Sequence, residues 1–278
     1  MPASRFRWYN AIGLMAGLVF ALFPIFWMLS TSFKPLAEWI TVPPTWLPKE
    51  PTLSNYAPLF RTFDDRYITG LGAGWRSMLD SIICSGSATL ISVAFGLAAA
   101  LGYSRYRAGG DHFALAVLSV RIVPTVTLAI PMLFLFGELG LRDTYIGVIL
   151  ANVALTVPFS FWMLKSFIDE VPQAIEEASM MDGFSRWQAH FFVTVPLIRG
   201  GLMATGLFVF ILKWSEFLIT MTLTDKNVIT LPVSLHHYEG MIGVQAAFAA
   251  FAAAPILVLG FLIQKHLARA FTLGAIKR

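Results

Sequence analysis

Six runs of about twenty or more mostly apolar residues divide this 278-residue chain, and each is long enough to cross a lipid bilayer. Lipid offers backbone N–H and C=O groups no hydrogen-bonding partner, so a run that enters it must satisfy those groups within itself. For a single segment that selects the α-helix. The runs are Tyr9 to Thr31, Leu79 to Tyr103, Phe113 to Gly137, Tyr145 to Phe167, Gly200 to Leu223 and Val244 to Ile263. The expected fold class is therefore an all-α polytopic membrane protein with six transmembrane helices in one transmembrane domain spanning 1–278. Composition points the same way: 57% of residues are hydrophobic, 13% are charged and the mean hydropathy is +0.70. A soluble domain carries about a quarter of its residues as charges.

The first run is too long for a signal-peptide core, and Ser30-Thr31-Ser32-Phe33-Lys34 after it lacks a small-x-small cleavage pattern, so it reads as an anchor and the mature chain is expected to start near Met1. Orientation follows from Lys and Arg in the short loops. One side holds Arg5, Arg7, Arg105, Arg107, Lys165, Arg186, Arg199, Lys265, Arg269, Lys277 and Arg278, against Arg142 and Lys226 opposite. Both termini are expected on the cytoplasmic side of a bacterial inner membrane. The basic balance thus reflects topology and argues against nucleic-acid binding. Cys84 is the one cysteine, so no internal disulfide or cysteine metal cluster can form, and it reads as a small apolar residue in the second span. No G-x-x-x-x-G-K-[ST] stretch occurs, so the chain has no P-loop and any ATP is bound elsewhere.

Two segments depart from spans joined by short turns. The outer one, Lys34 to Met78, contains Pro35, Pro43, Pro44, Pro48, Pro51 and Pro58, which excludes a continuous helix in its first half. A ribbon followed by a short helix is expected, with Trp39, Trp46, Tyr56 and Trp75 suited to a headgroup belt. The inner segment, Lys165 to Arg199, predicts an amphipathic helix capped by Asp169, with Pro172 in its first turn, early negative charge from Glu170, Glu176 and Glu177, and a stop at Gly183. Ile175, Ala178 and Met181 fall on one face and Phe184 follows the glycine. Burying Ile175, Met181 and Phe184 in a partner's cleft contributes roughly 1.5 to 3 kcal/mol each. Lipid-binding interfacial helices carry Lys and Arg on their polar face, whereas this one opens acidic, which favours a protein partner. A second short helix opens at Ser185, with Trp187, Phe191 and Phe192 suited to the interface, and Pro196 marks re-entry into the membrane.

Glu177-Ala178-Ser179, then Gly183, then Val193-x-Val195-Pro196 resembles the E-A-A, G, I-x-L-P signature of permease subunits in binding-protein-dependent ABC importers, without a gap in the spacing. The resemblance extends over nearly the whole chain and is similar to the carbohydrate-uptake branch, the smaller permease subunit of maltose-type systems. Thr31-Ser32-Phe33-Lys34-Pro35, Asn55-Tyr56, Ala98 to Arg105, Arg121-x-x-Pro124 with Ile130-Pro131, Trp214-Ser215-Glu216-Phe217 and the C-terminal Gly274 to Arg278 all resemble that branch. Ser179 replaces the usual alanine, Ser215 an asparagine in W-N-E-F, and Asp80 another usual asparagine. The resemblance implies a non-enzymatic subunit partnered by a homologous second permease, two cytoplasmic ATPases that hold ATP and Mg, and an extracytoplasmic solute-binding protein. It assigns Glu176, Glu177, Ala178, Ser179, Met181, Asp182, Gly183 and Phe184 to a coupling helix, between helices 4 and 5, seated in an ATPase cleft. ATP-driven closure would then switch the spans from inward-facing to outward-facing.

Charges inside spans need a reason, because each costs roughly 2.5 to 3.5 kcal/mol on insertion scales. Arg121 and Lys213 are such charges. Lys213 can pair with Glu216, three residues on along one helix face, or face the translocation path and meet an anionic group on a sugar. Arg121 can cap backbone carbonyls or meet an acid on a neighbouring span. With Trp214, Ser215, Glu216, Phe217 and Asp80 these form a candidate substrate path. Pro124 and Pro131 are expected to kink the third span. Adjacent His236 and His237 are a weak metal signal, and no metal site is expected. Two rival readings are an ion-gradient-driven secondary transporter, which calls for acidic or histidine relays within spans, and a non-conducting assembly subunit.

Overall fold

The computed structural model describes residues 8–60 and 73–275, and every regular element among them is helical. In chain order the helices are α1 (Trp8–Ser32), α2 (Ala57–Phe60), α3 (Ala73–Tyr106), α4 (Gly110–Ile122), α5 (Thr125–Glu138), α6 (Tyr145–Asp169), α7 (Gln173–Met181), α8 (Arg186–Ala189), α9 (Val195–Leu197), α10 (Arg199–Trp214), α11 (Leu218–Leu223), α12 (Leu231–His237) and α13 (Ile242–Ala275). Four are long and apolar enough to cross a membrane, covering Asn10–Ser32, Gly74–Tyr106, Tyr145–Asp169 and Ile242–Phe261, and two bent pairs bring the number to six if each pair is one span. The arginines at 5 and 7, Ile276, Lys277 and Arg278 lie outside the described residues, as does part of the outer segment, 61–72.

The kink expected in the third span is a full break, and the fifth span, expected to be continuous, is interrupted. The third run breaks between α4 and α5 with a 94° bend. Pro124 disfavours the helical region for the residue before it, and Val123 is extended at φ −69°, ψ 121°. Pro131, expected to kink, is accommodated inside α5. The fifth run stops at Trp214 and resumes at Leu218, because the Glu216 carboxylate takes the first free N–H groups of α11, from Ile219 at 2.8 Å and Thr220 at 3.0 Å. A second bend, of 74°, separates Arg186–Leu197 from α10.

The chain divides into two compact units. In the first, Met1–Trp75 with Ser234–Ala254, the outer segment as far as Phe60 is the expected irregular ribbon followed by a short helix, α2. Asn55 is buried and its amide donates to the carbonyls of Ser32 at 2.9 Å and Lys34 at 2.8 Å. Tyr56 shares a 2.7 Å hydrogen bond with Ser32. Two aromatics of the anticipated belt also make ring contacts: Trp46 lies against Phe23 and Trp27, and Trp75 against Phe251.

The second unit, Arg76–Val233 with Pro255–Arg278, holds the inner segment. One apolar cluster packs Ala100, Leu101 and Tyr103 of α3 and Ala114 of α4 against Phe161, Leu164 and Ile168 of α6. A second joins Ala129 and Phe136 of α5, Ala151 of α6, and Ile219 and Leu223 of α11. Cys84 is buried against Val148 and Val228, as a small apolar residue would be. Asp143, at φ 55°, gathers the backbone N–H groups of Asp225, Lys226, Asn227 and Val228. Burial pushes its carboxyl up, but the four donors outweigh that and hold it below the usual range.

Candidate functional site

The inner segment is built from short elements whose ends are fixed by specific bonds. α7 closes in a Schellman arrangement: Gly183 N–H donates to Met180 O at 3.1 Å and Phe184 N–H to Ser179 O at 3.1 Å. Gly183 sits at φ +96°, so the glycine stop read from the sequence has a backbone cause. Ser185 then caps α8 in a reciprocal capping box with Gln188. The N-terminal cap differs from expectation. Asp169 still belongs to α6 and its carboxylate meets Lys165 at 2.5 Å, while Pro172 occupies the cap position of α7 without a side-chain bond. α6 simply runs further than its apolar run.

The two faces of α7 have opposite characters. Outward are Ile175, Ala178, Met181 and Phe184, with Met181 88% exposed, together with Glu177 and Asp182. Inward is Glu176, only 3% exposed, although the sequence grouped it with the outward coupling residues. Its Oε1 accepts Arg105 Nε at 2.7 Å and Thr194 Oγ1 at 2.6 Å, and its Oε2 lies 3.4 Å from His190 Nδ1. Arg105 also donates to the Ile168 and Val171 carbonyls at the end of α6, at 3.1 and 3.0 Å. Tyr106 bonds the other ring nitrogen of His190 at 2.7 Å. His190 to Thr194 form a single π-helical turn, which the sequence reading took as part of a short helix. A cleft of about 340 Å³ lined by Arg105, Gln173, Glu177, Met180 and Arg186 opens beside this network. Ser179, the departure from the E-A-A pattern, donates to Glu176 O at 2.7 Å within its own helix.

The candidate path residues are only partly brought together. Lys213 and Glu216 do not form the anticipated ion pair. The helix ends between them, Glu216 caps α11, and Lys213 Nζ donates to Asn152 Oδ1 at 3.1 Å. Among the described residues Arg121, at the α4 break, meets neither an acid nor a carbonyl, and it lies 5.1 Å from the Phe159 ring. Trp214 is buried against Phe210, Ser215 is exposed, and Phe217 stands at the start of α11. Asp80 accepts Tyr145 OH at 2.6 Å and Ile229 N–H at 2.8 Å, bracing α3 to α6 and to the segment before α12. Asn152 was not singled out in the sequence, where a lone asparagine within an apolar span was its only signal. It heads a buried polar file: its carbonyl accepts Thr156, whose hydroxyl is 2.9 Å from Ser92. Among the described residues no group of three or more His, Cys, Asp or Glu side chains could hold a metal.

The comparisons with known proteins agree with this architecture. Residues 92–273 match the family model of the binding-protein-dependent transport system inner membrane component. The sulfoquinovosyl glycerol transport system permease protein SmoH of Agrobacterium fabrum is 31% identical, over 94% of this chain and 90% of its own. The trehalose transport system permease protein SugB of Mycobacterium tuberculosis is 31% identical over 100% of both. A crystal structure of a bacterial ABC transporter involved in the import of the acidic polysaccharide alginate shares the fold, with a TM-score of 0.75 at 21% identity, covering 92% of this chain and 94% of that one. With the family model matching well over half its length, the chain belongs to the family of inner membrane components of binding-protein-dependent transport systems.

Proposed function

We propose that this chain is the membrane-spanning permease subunit of an ATP-driven importer that moves a sugar or sugar derivative from an extracytoplasmic solute-binding protein into the cytoplasm. Its partners are a homologous second permease and two ATPase subunits that bind ATP and Mg, and it has no catalytic residues of its own. It acts as one transmembrane domain, 1–278, in a bacterial inner membrane with both termini cytoplasmic. α7 and its continuation through Phe184 form the coupling helix. The observation that carries this reading is the outward face of α7 and its C-terminal turn, where Met181, Ile175 and Phe184 stand exposed while Glu176 turns inward to Arg105. A cleft in an ATPase would cover that face.

The cargo reading rests on two supports. The relatives SmoH and SugB are named for transport of sulfoquinovosyl glycerol and trehalose, both sugars or sugar derivatives. Lys213 and Arg121 add two cationic groups along the spans, which favours an anionic sugar bearing sulfonate, phosphate or carboxylate. Co-expression with a candidate partner ATPase and reconstitution test both. The ATPase should co-purify, and uptake should require ATP and stop with vanadate; uptake driven by an ion gradient alone, or no bound ATPase, overturns the reading. Uptake of sulfoquinovosyl glycerol should fall at least tenfold more than uptake of trehalose in Lys213→Ala, as expected for about 1.4 kcal/mol of charge recognition. Equal losses would remove the anionic preference.

A further inference from the structure

We propose that Glu176 is a positioning residue for transport, a buried carboxylate joint that passes the motion of α7 to α10. This deepens the coupling-helix reading and rests on it. Only one face of α7 is available to a partner, so whatever a partner does to α7 must leave through the other face, where Glu176 is the buried charged side chain. One carboxylate there ties four elements. Its Oε1 joins α7 to Arg105 at the end of α3 and to Thr194 in the π-helical turn. Through Arg105 the same network reaches the Ile168 carbonyl in the last turn of α6 and the Val171 carbonyl just past it. The π-helical turn leads through α9 and a 74° bend at Ile198 into α10. Both acceptor bonds are short, at 2.7 and 2.6 Å, and the Arg105 bond joins two opposite charges, which makes it strong and orientation-fixing.

A buried carboxylate removed from water needs its partners in place, so the joint favours moving as a unit over opening. The π-helical turn, in which Val195 N–H reaches back five residues to His190 O, is a local irregularity of the kind often found at functional sites. The α6 end held by Arg105 and the α10 start held through Thr194 therefore share one anchor. A residue that only kept α7 folded would not need links to both.

The test uses the complete importer, with partner permease, both ATPases and solute-binding protein, in nanodiscs. Cys84→Ser removes the native thiol and Ser215→Cys puts a reporter one residue beyond α10. Its modification rate by a methanethiosulfonate reagent is measured without nucleotide and after trapping with ATP, Mg and vanadate. In the parent the rate should change at least about fivefold on trapping, the lower end of ordinary coupling between sites. Glu176→Gln should keep the ATPases bound and hydrolysing, while that change falls below about twofold. Glu176→Asp, which keeps the charge, should recover most of the change, and Thr194→Val, which cuts only the link toward α10, should give an intermediate value. A parent-like response in Glu176→Gln, or a reporter insensitive to trapping in the parent, overturns the proposal. Loss of the ATPases from Glu176→Gln overturns it too, by making Glu176 part of docking, but leaves the coupling reading standing. That reading fails separately if polar substitutions at Met181 and Ile175 leave ATPase association unchanged. Should Glu176→Gln not assemble, Thr194→Val decides: a full parent-like response sinks the joint.

Discussion

Replacing Gly183 with alanine isolates the backbone's part in presenting α7. An added Cβ at this position meets no atom within 4 Å, so no collision in the folded state contributes. The cost is conformational. Gly183 holds φ +96°, and a left-handed backbone costs an L-residue with a Cβ roughly 1–2 kcal/mol. α7 has nine residues, too few to be stable alone in water. Its end is held by the Gly183 and Phe184 bonds to Met180 and Ser179, so the strain falls on the turn that sets Phe184 beside Met181. At 1.4 kcal/mol per factor of ten, affinity of the permease for its ATPase should drop about 5- to 30-fold. The assay is titration of labelled ATPase onto nanodisc-embedded permease pairs, with Gly183→Asn alongside. Asparagine tolerates left-handed backbone better and should lose less than alanine. Unchanged affinity in Gly183→Ala, or equal losses for both, would refute the argument that a fixed α7 terminus is what the partner reads.

Other outcomes follow from single contacts. The folded-state value of Asp143 lies below the ordinary aspartate value of about 3.9, so its stabilisation of 225–228 is complete above that value and lost as pH falls through the folded one; the protection of these amides relative to their intrinsic exchange rates should fall on acidification, and Asp143→Asn should remove most of that pH dependence. Ser185→Ala removes the capping box and should cost about 1 kcal/mol locally, read as faster exchange over Arg186 to Ala189 with the melting of the spans unchanged. Asn152→Leu strips Lys213 of its acceptor and should destabilise the protein by about 1–3 kcal/mol, seen as a lower melting temperature in detergent. Asn152→Asp should preserve stability but pair the ammonium, reducing uptake of sulfoquinovosyl glycerol relative to trehalose.

Apolar length alone pointed to the four long apolar helices, because lipid imposes one solution on any such run. The kink expected at Pro124 is a full break, through its effect on Val123. Where the sequence misled, a side chain competed with the helix: Glu216 ended the fifth run by capping α11, which hydropathy does not register. The Gly183 stop and the Ser185 start were legible since their causes are local. The buried network was not. Glu176 and Glu177 are neighbours of the same type, and which of them turns inward depends on Arg105, 71 residues away in sequence, and on Thr194, 18 away. Lys213 was recognised as unusual, but its partner Asn152 lies on another helix, 61 residues away. Periodicity marks faces; it does not pair them.

The coupling role of α7 is tested most directly by placing a photo-crosslinking amino acid at Met181, the most exposed apolar residue of the helix, in the complete importer. The account predicts a dominant crosslink to the ATPase subunit, mapped to a single cleft and altered in yield by ATP with vanadate. Crosslinking to lipid alone, or to the ATPase with no dependence on nucleotide, would contradict it.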